Sequence, residues 1–84
     1  MALLVDAPLV LHRGRRWCHL VSDTSLAELH AFAAGLELPS HRFHADHYDI
    51  AEEEQERVLS AGAVLVRPRE IVSALTSAGL RRPR

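Results

Sequence analysis

The sequence predicts a small α/β domain with a mostly parallel sheet of three or four strands and three helices. Glycine follows three helix-like stretches, at Gly35, Gly62 and Gly79, and an apolar residue comes next each time, which is a common way for a helix to end. Short apolar runs separate these stretches, and strands that alternate with helices are typical of a parallel sheet. A chain of 84 residues forms one domain. We assign residues 1–80 to that domain and residues 81–84 to a disordered basic tail.

The first helix is expected to begin after Ser25. Ser25 and Glu28 have the spacing of a capping box, in which each side chain accepts a hydrogen bond from the other residue's backbone N–H. Leu26, Leu29 and Phe32 then recur at helical spacing and predict an apolar stripe that faces the core.

Two further helices are predicted by their first turns. The second is expected over residues 51–61, where an acidic start suits the positive end of the helix dipole. The third follows Pro68, because proline is favourable as the first residue of a helix. Ile71 and Leu75 supply its apolar positions.

The clearest strand is predicted over residues 63–66, a short apolar run directly after a helix end. Other stretches with strand character lie at 2–5, 17–21 and, more weakly, 42–44. Residues 9–12 could also pair with residues 17–21 through the turn around Gly14, which would add an antiparallel hairpin.

Composition excludes several classes of protein. A formal net charge of −1 gives no overall field that would attract nucleic acid or a membrane surface. The single cysteine, Cys18, cannot form a disulfide within the chain and favours a reducing compartment. Residues 1–11 are too short and too interrupted for a signal peptide or a membrane span. We therefore expect a cytoplasmic protein that does not associate with membranes.

Residues 41–49 hold the densest group of reactive side chains. Three of the six histidines, two of the four aspartates and the only tyrosine lie there, before the predicted second helix. Asp46 and the preferred set of His44, His47 and Asp49 are candidate ligands of a divalent metal ion, because imidazole with carboxylate is a usual ligand set. His19, His30 or Asp23 could join them from a neighbouring strand or helix. His41, His44 and His47 recur every three residues, and side chains at this spacing share a face only on a helix. Pro39 makes a helix unfavourable there. In an open α/β sheet this loop would also lie where ligands bind.

A second candidate chemistry is proton transfer. His47 and Asp49, with His19 and Asp23 if these lie near, could act as a general acid–base set.

A third candidate is phosphate or nucleic-acid binding near the N-terminus. Arg13, Arg15 and Arg16 are candidate phosphate contacts, and Trp17 beside them offers a stacking surface.

Structural roles compete with each of these hypotheses. Asp49 and Asp23 stand where helix N-cap residues belong. His30 lies beside the apolar stripe of the first helix, where a histidine is more often a boundary core residue bonded to a carbonyl than a ligand. Trp17 is expected to anchor the core or its rim, and Cys18 is expected to be a small buried apolar residue.

The chain also resembles an uncharacterised domain-of-unknown-function family, family 4031, of short proteins from GC-rich bacteria and phages. The resemblance covers nearly all of the chain and is carried by residues 17–26, 28–33, 43–44, 47–49, 62–63 and 69–70. His12 and His41 do not match the family's pattern. The resemblance implies a shared set that consists of Asp6, Arg16, Trp17, His19, Asp23, His30, His47, Tyr48 and Asp49.

Two functional hypotheses follow. In the first, a ligand-binding or catalytic surface acts on a phosphate-bearing or nucleic-acid partner, with a divalent metal ion as a candidate cofactor. Its residues are His19, Asp23, His30, His47, Tyr48 and Asp49. In the second, the protein is a non-enzymatic interaction module whose polar cluster only caps helices and whose function lies in a homodimer or partner interface.

Overall fold

The structure, a computed structural model, describes residues 2–81. In chain order the strands are β1 (Leu3–Val5), β2 (Val10–His12), β3 (Arg15–Ser22), β4 (Phe43–His44), β5 (His47–Ala51) and β6 (Val64–Leu65). The helices are α1 (Leu26–Gly35), α2 (Gln55–Ser60) and α3 (Pro68–Ser77), and short 3₁₀ turns lie at Ser40–Arg42 and Glu52–Glu54. No helix in this part of the chain has the length and apolar character needed to cross a membrane.

The six strands form one mixed sheet in the order β4-β5-β3-β1-β6, and β2 pairs with β3 beside this path. Within residues 2–81, β1 and β6 are the one parallel pair, whereas β3 is antiparallel to β1, β2 and β5, and β4 is antiparallel to β5. The α/β mixture with three helices is confirmed. The expectation of a mostly parallel sheet with three or four strands was wrong.

Two tight turns explain this difference. The loop between β2 and β3 consists of Arg13 and Gly14, which both have positive φ angles, of 53° and 76°. Such a two-residue hairpin turn can join only antiparallel neighbours. A second short turn, with Ala45 at φ 57°, joins β4 to β5. Residues 47–51 therefore form a strand and do not lead directly into the second helix.

The helix ends were predicted more accurately than the strand directions, because they depend on local sequence signals. The Ser25 side chain accepts a hydrogen bond from the Glu28 backbone N–H at 3.1 Å, so the predicted N-cap is confirmed. The Glu28 carboxylate accepts from the Ser22 hydroxyl and does not complete a capping box. Gly62 and Gly79 have positive φ angles after α2 and α3, as predicted. After α1 the left-handed residue is Glu37, and Gly35 stays within the helix.

Helices cover the two faces of the sheet unequally. On one face α1 and α2 enclose the main core, in which Val5, Leu20, Leu29, Ile50 and Val58 are fully buried. On the other face α3 packs through Ile71 and Leu75 against Val21, with Leu4 beside them. This second core lies at the end of β3 that pairs with β1. The remainder of that face, over β3 and β5, carries the polar side chains described next.

Candidate functional site

Strands β3 and β5 place His19, His47 and Asp49 together on one face of the sheet. His19 lies directly opposite Asp49 in the strand pairing, and His47 is two residues from Asp49, so its side chain points to the same face. One potential ligand atom from each residue lies within 4.8 Å of the other two. The imidazole rings of His19 and His47 are 5.2 Å apart between centroids. We call this group the three-residue site.

His19 is oriented by Asp6, a buried aspartate that follows β1. Asp6 Oδ1 accepts a hydrogen bond from the His19 backbone N–H at 2.6 Å, and Asp6 Oδ2 lies 3.0 Å from His19 Nδ1. The hydrogen bond to Asp6 raises the pKa of His19, although partial burial of the imidazole acts in the opposite direction. Because Asp6 occupies Nδ1, the ring presents Nε2 to its neighbours.

His47 is oriented in the same way by a different buried aspartate. His47 Nδ1 lies 2.8 Å from Asp46 Oδ1, and His47 Nε2 lies 3.3 Å from Asp49 Oδ1. Arg81 donates two hydrogen bonds to the Asp46 carboxylate, at 2.7 and 2.8 Å. These bonds hold the pKa of Asp46 below its usual range and raise the pKa of Arg81.

His44 stands at the rim of the site. It lies opposite His47 in the β4–β5 pairing, and its Nε2 is 3.2 Å from Asp49 Oδ2. Its side chain is 60% exposed. Of the three metal ligands predicted from the sequence, His47 and Asp49 belong to the three-residue site, and His44 contacts that site through Asp49.

An open groove of about 560 Å³ adjoins the site. His19 and Asp49 form part of its wall. The other polar groups that line it come from the β2–β3 hairpin, from the segment before β4 and from β4 itself, namely His12, Arg13, Trp17, His41, Arg42 and His44. The groove is therefore lined by four imidazoles and two guanidinium groups, with Asp49 as the one carboxylate among the lining residues of the described chain.

Trp17 is already engaged within the protein. Its indole N–H donates to the backbone carbonyl of His12 at 3.2 Å. The guanidinium carbons of Arg15 and Arg42 each lie 5.1 Å from the centre of its ring system, within the range of a cation–π contact. Arg15 also forms an ion pair with Glu53, and Arg42 forms one with Glu54.

The three arginines predicted to bind phosphate do not form one surface. Arg13 lines the groove. Arg15 is paired with Glu53, and Arg16 follows it on the same strand, so its side chain points to the opposite face of the sheet. Arg13 is the member of this set that can reach a ligand in the groove.

His30 and Tyr48 lie on the other face of the sheet. Tyr48 stands between His47 and Asp49 in β5, so its side chain points away from theirs and into the main core. Its hydroxyl lies 2.8 Å from His30 Nδ1, and Phe43 packs beside both rings. Both residues, predicted as part of one surface with His19 and His47, are separated from them by the sheet.

Asp23 also lies away from the three-residue site. Its carboxylate accepts hydrogen bonds from the Ala2 backbone N–H at 2.8 Å and from the Thr24 hydroxyl. These contacts, led by the bond from Ala2, lower its pKa. Asp23 therefore joins the residue before β1 to the segment before α1. Of the six residues predicted for the site, His19, His47 and Asp49 come together.

Two of the supporting residues had weak signals in the sequence. Asp6 was identified as a candidate residue only through the family resemblance, since an aspartate after an apolar run can have many structural roles. The sequence places Arg81 in the basic tail. No sequence motif links Arg81 to Asp46, with which it pairs in the structure. Residues 82–84 of that tail lie outside the described part of the chain.

The fold and site define a small mixed α/β domain with a histidine–aspartate centre on one face of its sheet. The family described as "Protein of unknown function (DUF4031)" matches residues 3–78, and the chain belongs to that family. This confirms the resemblance found in the sequence. No curated protein and no solved structure shows significant similarity to the chain.

Proposed function

We propose that the protein binds a divalent transition-metal ion through His19, His47 and Asp49 and holds a phosphate-bearing ligand over that ion in the groove. One observation carries the metal assignment. Each histidine has its Nδ1 bonded to its own buried carboxylate, Asp6 or Asp46. A histidine that ligates a metal through one nitrogen almost always bonds a carboxylate or carbonyl through the other.

The contact between His47 and Asp49 supports the same assignment. A neutral imidazole that donates from Nδ1 has only an acceptor lone pair at Nε2. That lone pair would face a carboxylate oxygen of Asp49 at 3.3 Å. Two acceptors at this distance repel each other unless a cation, either a metal ion or a second proton on His47, lies between them. A metal ion would also engage His19.

Three protein ligands leave coordination positions open. Two histidines and one carboxylate bind zinc in catalytic sites and iron in facial-triad sites, and in both a water or a substrate atom completes the coordination. The adjoining groove gives a ligand access to those positions. A phosphate oxygen bound there would be polarised by the metal, and this is the chemistry that supports phosphate-ester hydrolysis.

A compact phosphate ligand agrees with the groove better than a nucleic-acid strand does. Binding to a strand would need a continuous basic surface and a free aromatic ring. Trp17 is covered by two arginines, and Arg16 lies on the opposite face from the groove. Arg13 remains to contact a phosphate, and concave sites of roughly 300–1,000 Å³ commonly hold ligands of drug size.

The position of Asp49 in the fold argues against the competing hypothesis, in which the polar cluster only caps helices. It lies in the middle of β5, and the next helical turn begins at Glu52. The N–H of Ala51 at that turn is bonded by the Glu54 side chain. The capping role that we considered for Asp49 is therefore filled by another residue.

The experiment is metal binding by protein purified without a histidine tag. We expect elemental analysis and calorimetric titration with Zn²⁺, Co²⁺ and Mn²⁺ to give one ion per chain. His47→Ala and Asp49→Ala should each abolish binding, and His41→Ala is the matched control because it removes a histidine that lines the groove outside the three-residue site. Absence of binding by the unaltered protein, or equal loss in His41→Ala, would exclude the metal site.

The ligand part is tested separately with the metal-loaded protein. Orthophosphate and the monoester p-nitrophenyl phosphate are the probes, and release of p-nitrophenol reports hydrolysis. We expect phosphate binding that requires the metal. Binding of equal strength after removal of the metal with a chelator would show that the groove and the three-residue site act independently.

A further inference from the structure

We infer that Arg81 is a positioning residue for the three-residue site, because it acts through Asp46 to fix the proton of His47 on Nδ1 and leaves Nε2 to take the metal ion. The part of this inference that concerns metal affinity rests on the proposed function. The part that concerns the proton holds for the metal-free protein as well.

The contacts of Asp46 carry the inference. Arg81 Nε donates to Asp46 Oδ2 at 2.7 Å, and Arg81 Nη2 donates to Asp46 Oδ1 at 2.8 Å. A guanidinium group has only donors, so both oxygens of Asp46 must act as acceptors. The Asp46 side chain is 8% exposed, which leaves little room for water to replace these bonds.

The proton on His47 follows from this arrangement. Asp46 Oδ1 also lies 2.8 Å from His47 Nδ1, and because the oxygen is an acceptor, Nδ1 must be the donor. A neutral imidazole carries one N–H, so Nε2 then has the lone pair that a metal ion requires. If Asp46 could rotate or donate instead, His47 could place its proton on Nε2 and lose its function as a ligand.

The end of α3 holds Arg81 in position. Gly79 has φ 75°, and the backbone N–H groups of Leu80 and Arg81 both donate to the Leu75 carbonyl, at 2.9 and 3.2 Å. Leu80 packs on the second core with Val21 and Ile71. The folded helix therefore directs the Arg81 side chain toward Asp46 and links the second core to the site.

His19 provides an internal comparison. Both oxygens of Asp6 are engaged by His19 itself, one by its backbone N–H and the other by Nδ1. No arginine bonds Asp6 among the hydrogen bonds of residues 2–81. A change at Arg81 should therefore alter the tautomer of His47 and leave that of His19 as it is.

The first test is ¹⁵N NMR of the imidazole nitrogens in the metal-free protein, at a pH where both histidines are neutral. We expect the Nδ1–H tautomer for both in the unaltered protein. Arg81→Leu should move His47 toward a mixture of tautomers while His19 keeps its own. Arg69→Leu is the matched control, because Arg69 is an exposed residue of α3, the helix that precedes Arg81.

The second test is Co²⁺ affinity, with the visible spectrum as a second readout of coordination. Loss of an outer partner of a metal-binding histidine weakens affinity about 10–100-fold, and we expect this for Arg81→Leu. Arg81→Lys should restore part of the affinity, since it keeps the charge and one donor. Arg81→Gln, which removes the charge, replaces Arg81→Leu in both tests if the leucine variant does not fold.

The outcomes separate the two proposals. A folded Arg81→Leu or Arg81→Gln variant with the His47 tautomer unchanged would overturn the positioning role, whether or not metal binds. A tautomer change confined to His47, in a protein that binds no metal, would support the positioning role and exclude the proposed metal function. A loss of affinity in Arg69→Leu equal to that in Arg81→Leu would show a general effect of charge and would also overturn the inference.

Discussion

His19 and Asp49 lie directly opposite each other on β3 and β5, although the two residues are far apart in the sequence. The core fixes this register, because Tyr48 and Ile50, which alternate with His47 and Asp49, are buried against the other face. A slip of one residue would turn Asp49 into the main core and expose Ile50. The geometry of the three-residue site is therefore set by apolar packing on the opposite side of the sheet.

The first prediction concerns metal-linked stability. We expect saturating Zn²⁺ to raise the unfolding temperature, because a ligand at 100 times its Kd stabilises the folded state by about 2.7 kcal/mol. Asp49→Asn should remove this response. It should leave the stability of the metal-free protein the same or higher, since Asp49 faces an acceptor nitrogen of His47 and its other side-chain contact is with His44, which is 60% exposed. Scanning calorimetry with and without chelator measures both effects, and a metal response retained in Asp49→Asn would contradict the ligand assignment.

The second prediction separates the two faces of the sheet. Tyr48→Phe removes the hydrogen bond to His30 and keeps the buried ring, so we expect a loss of about 0.5–1.5 kcal/mol in the free energy of unfolding. Metal affinity should stay the same, because the hydroxyl lies on the α1 side. Urea denaturation and calorimetric titration give the two quantities. A tenfold or greater loss of metal affinity would show that Tyr48 belongs to the site after all.

Local chemistry made part of the fold predictable. The residues that begin or end the helices act through neighbouring backbone groups, so their effects could be inferred from a few residues of sequence. They are Ser25, Gly62, Pro68 and Gly79. Strand pairing depends on contacts between distant segments, and a mostly parallel sheet was inferred from the order of elements alone. The turn at Gly14 predicted an antiparallel hairpin of residues 9–12 with residues 17–21, and β2 and β3 form this pair, but the other strands were expected to be parallel.

For a similar reason, the structure brings together only some of the residues predicted for the site. The four glutamates within residues 52–56 predicted a helix directly after the polar cluster, so His47 and Asp49 were predicted to lie in a loop. The alternation of polar residues with Tyr48 and Ile50 is the signal of a half-buried strand, and it places His47 and Asp49 on one face. Which residues of other elements meet that face depends on pairing with β3, and no local pattern contains this information.

The third prediction concerns the stability of the protein in acid. Partial burial acts to raise the pKa of Glu54, but hydrogen bonds from Arg42 and from the Ala51 N–H together bring it below its ordinary value. The folded protein therefore binds this proton more weakly than the unfolded chain does. The resulting stability is present above the unfolded pKa of about 4.3 and is lost as the pH falls through the lower folded-state pKa.

Glu54→Gln should accordingly lose about 1–2 kcal/mol of unfolding free energy at pH 7, since it weakens hydrogen bonds that involve a charged group at a partly exposed position. Its stability should also fall less steeply than that of the unaltered protein between about pH 5 and pH 3. Glu56→Gln is the matched control, because Glu56 is exposed on α2. Urea denaturation at several pH values measures the slopes, and parallel curves for the unaltered protein and Glu54→Gln would contradict the prediction.

The last prediction concerns the phosphate ligand and compares two neighbouring arginines. Arg13 lines the groove and forms no ion pair within residues 2–81, whereas Arg16 points to the opposite face of the sheet. Arg13→Ala should weaken binding of orthophosphate to the Co²⁺-loaded protein by about tenfold, which corresponds to one charge-assisted hydrogen bond of about 1.4 kcal/mol. Arg16→Ala removes the same charge from the same hairpin and should leave the affinity within twofold. Titrations at low and high salt should show a weaker salt dependence only for Arg13→Ala, because charge attraction at the groove is screened by ions. Equal losses in the two variants would mean that phosphate responds to the overall charge of the hairpin, and the groove would then not be the site of binding.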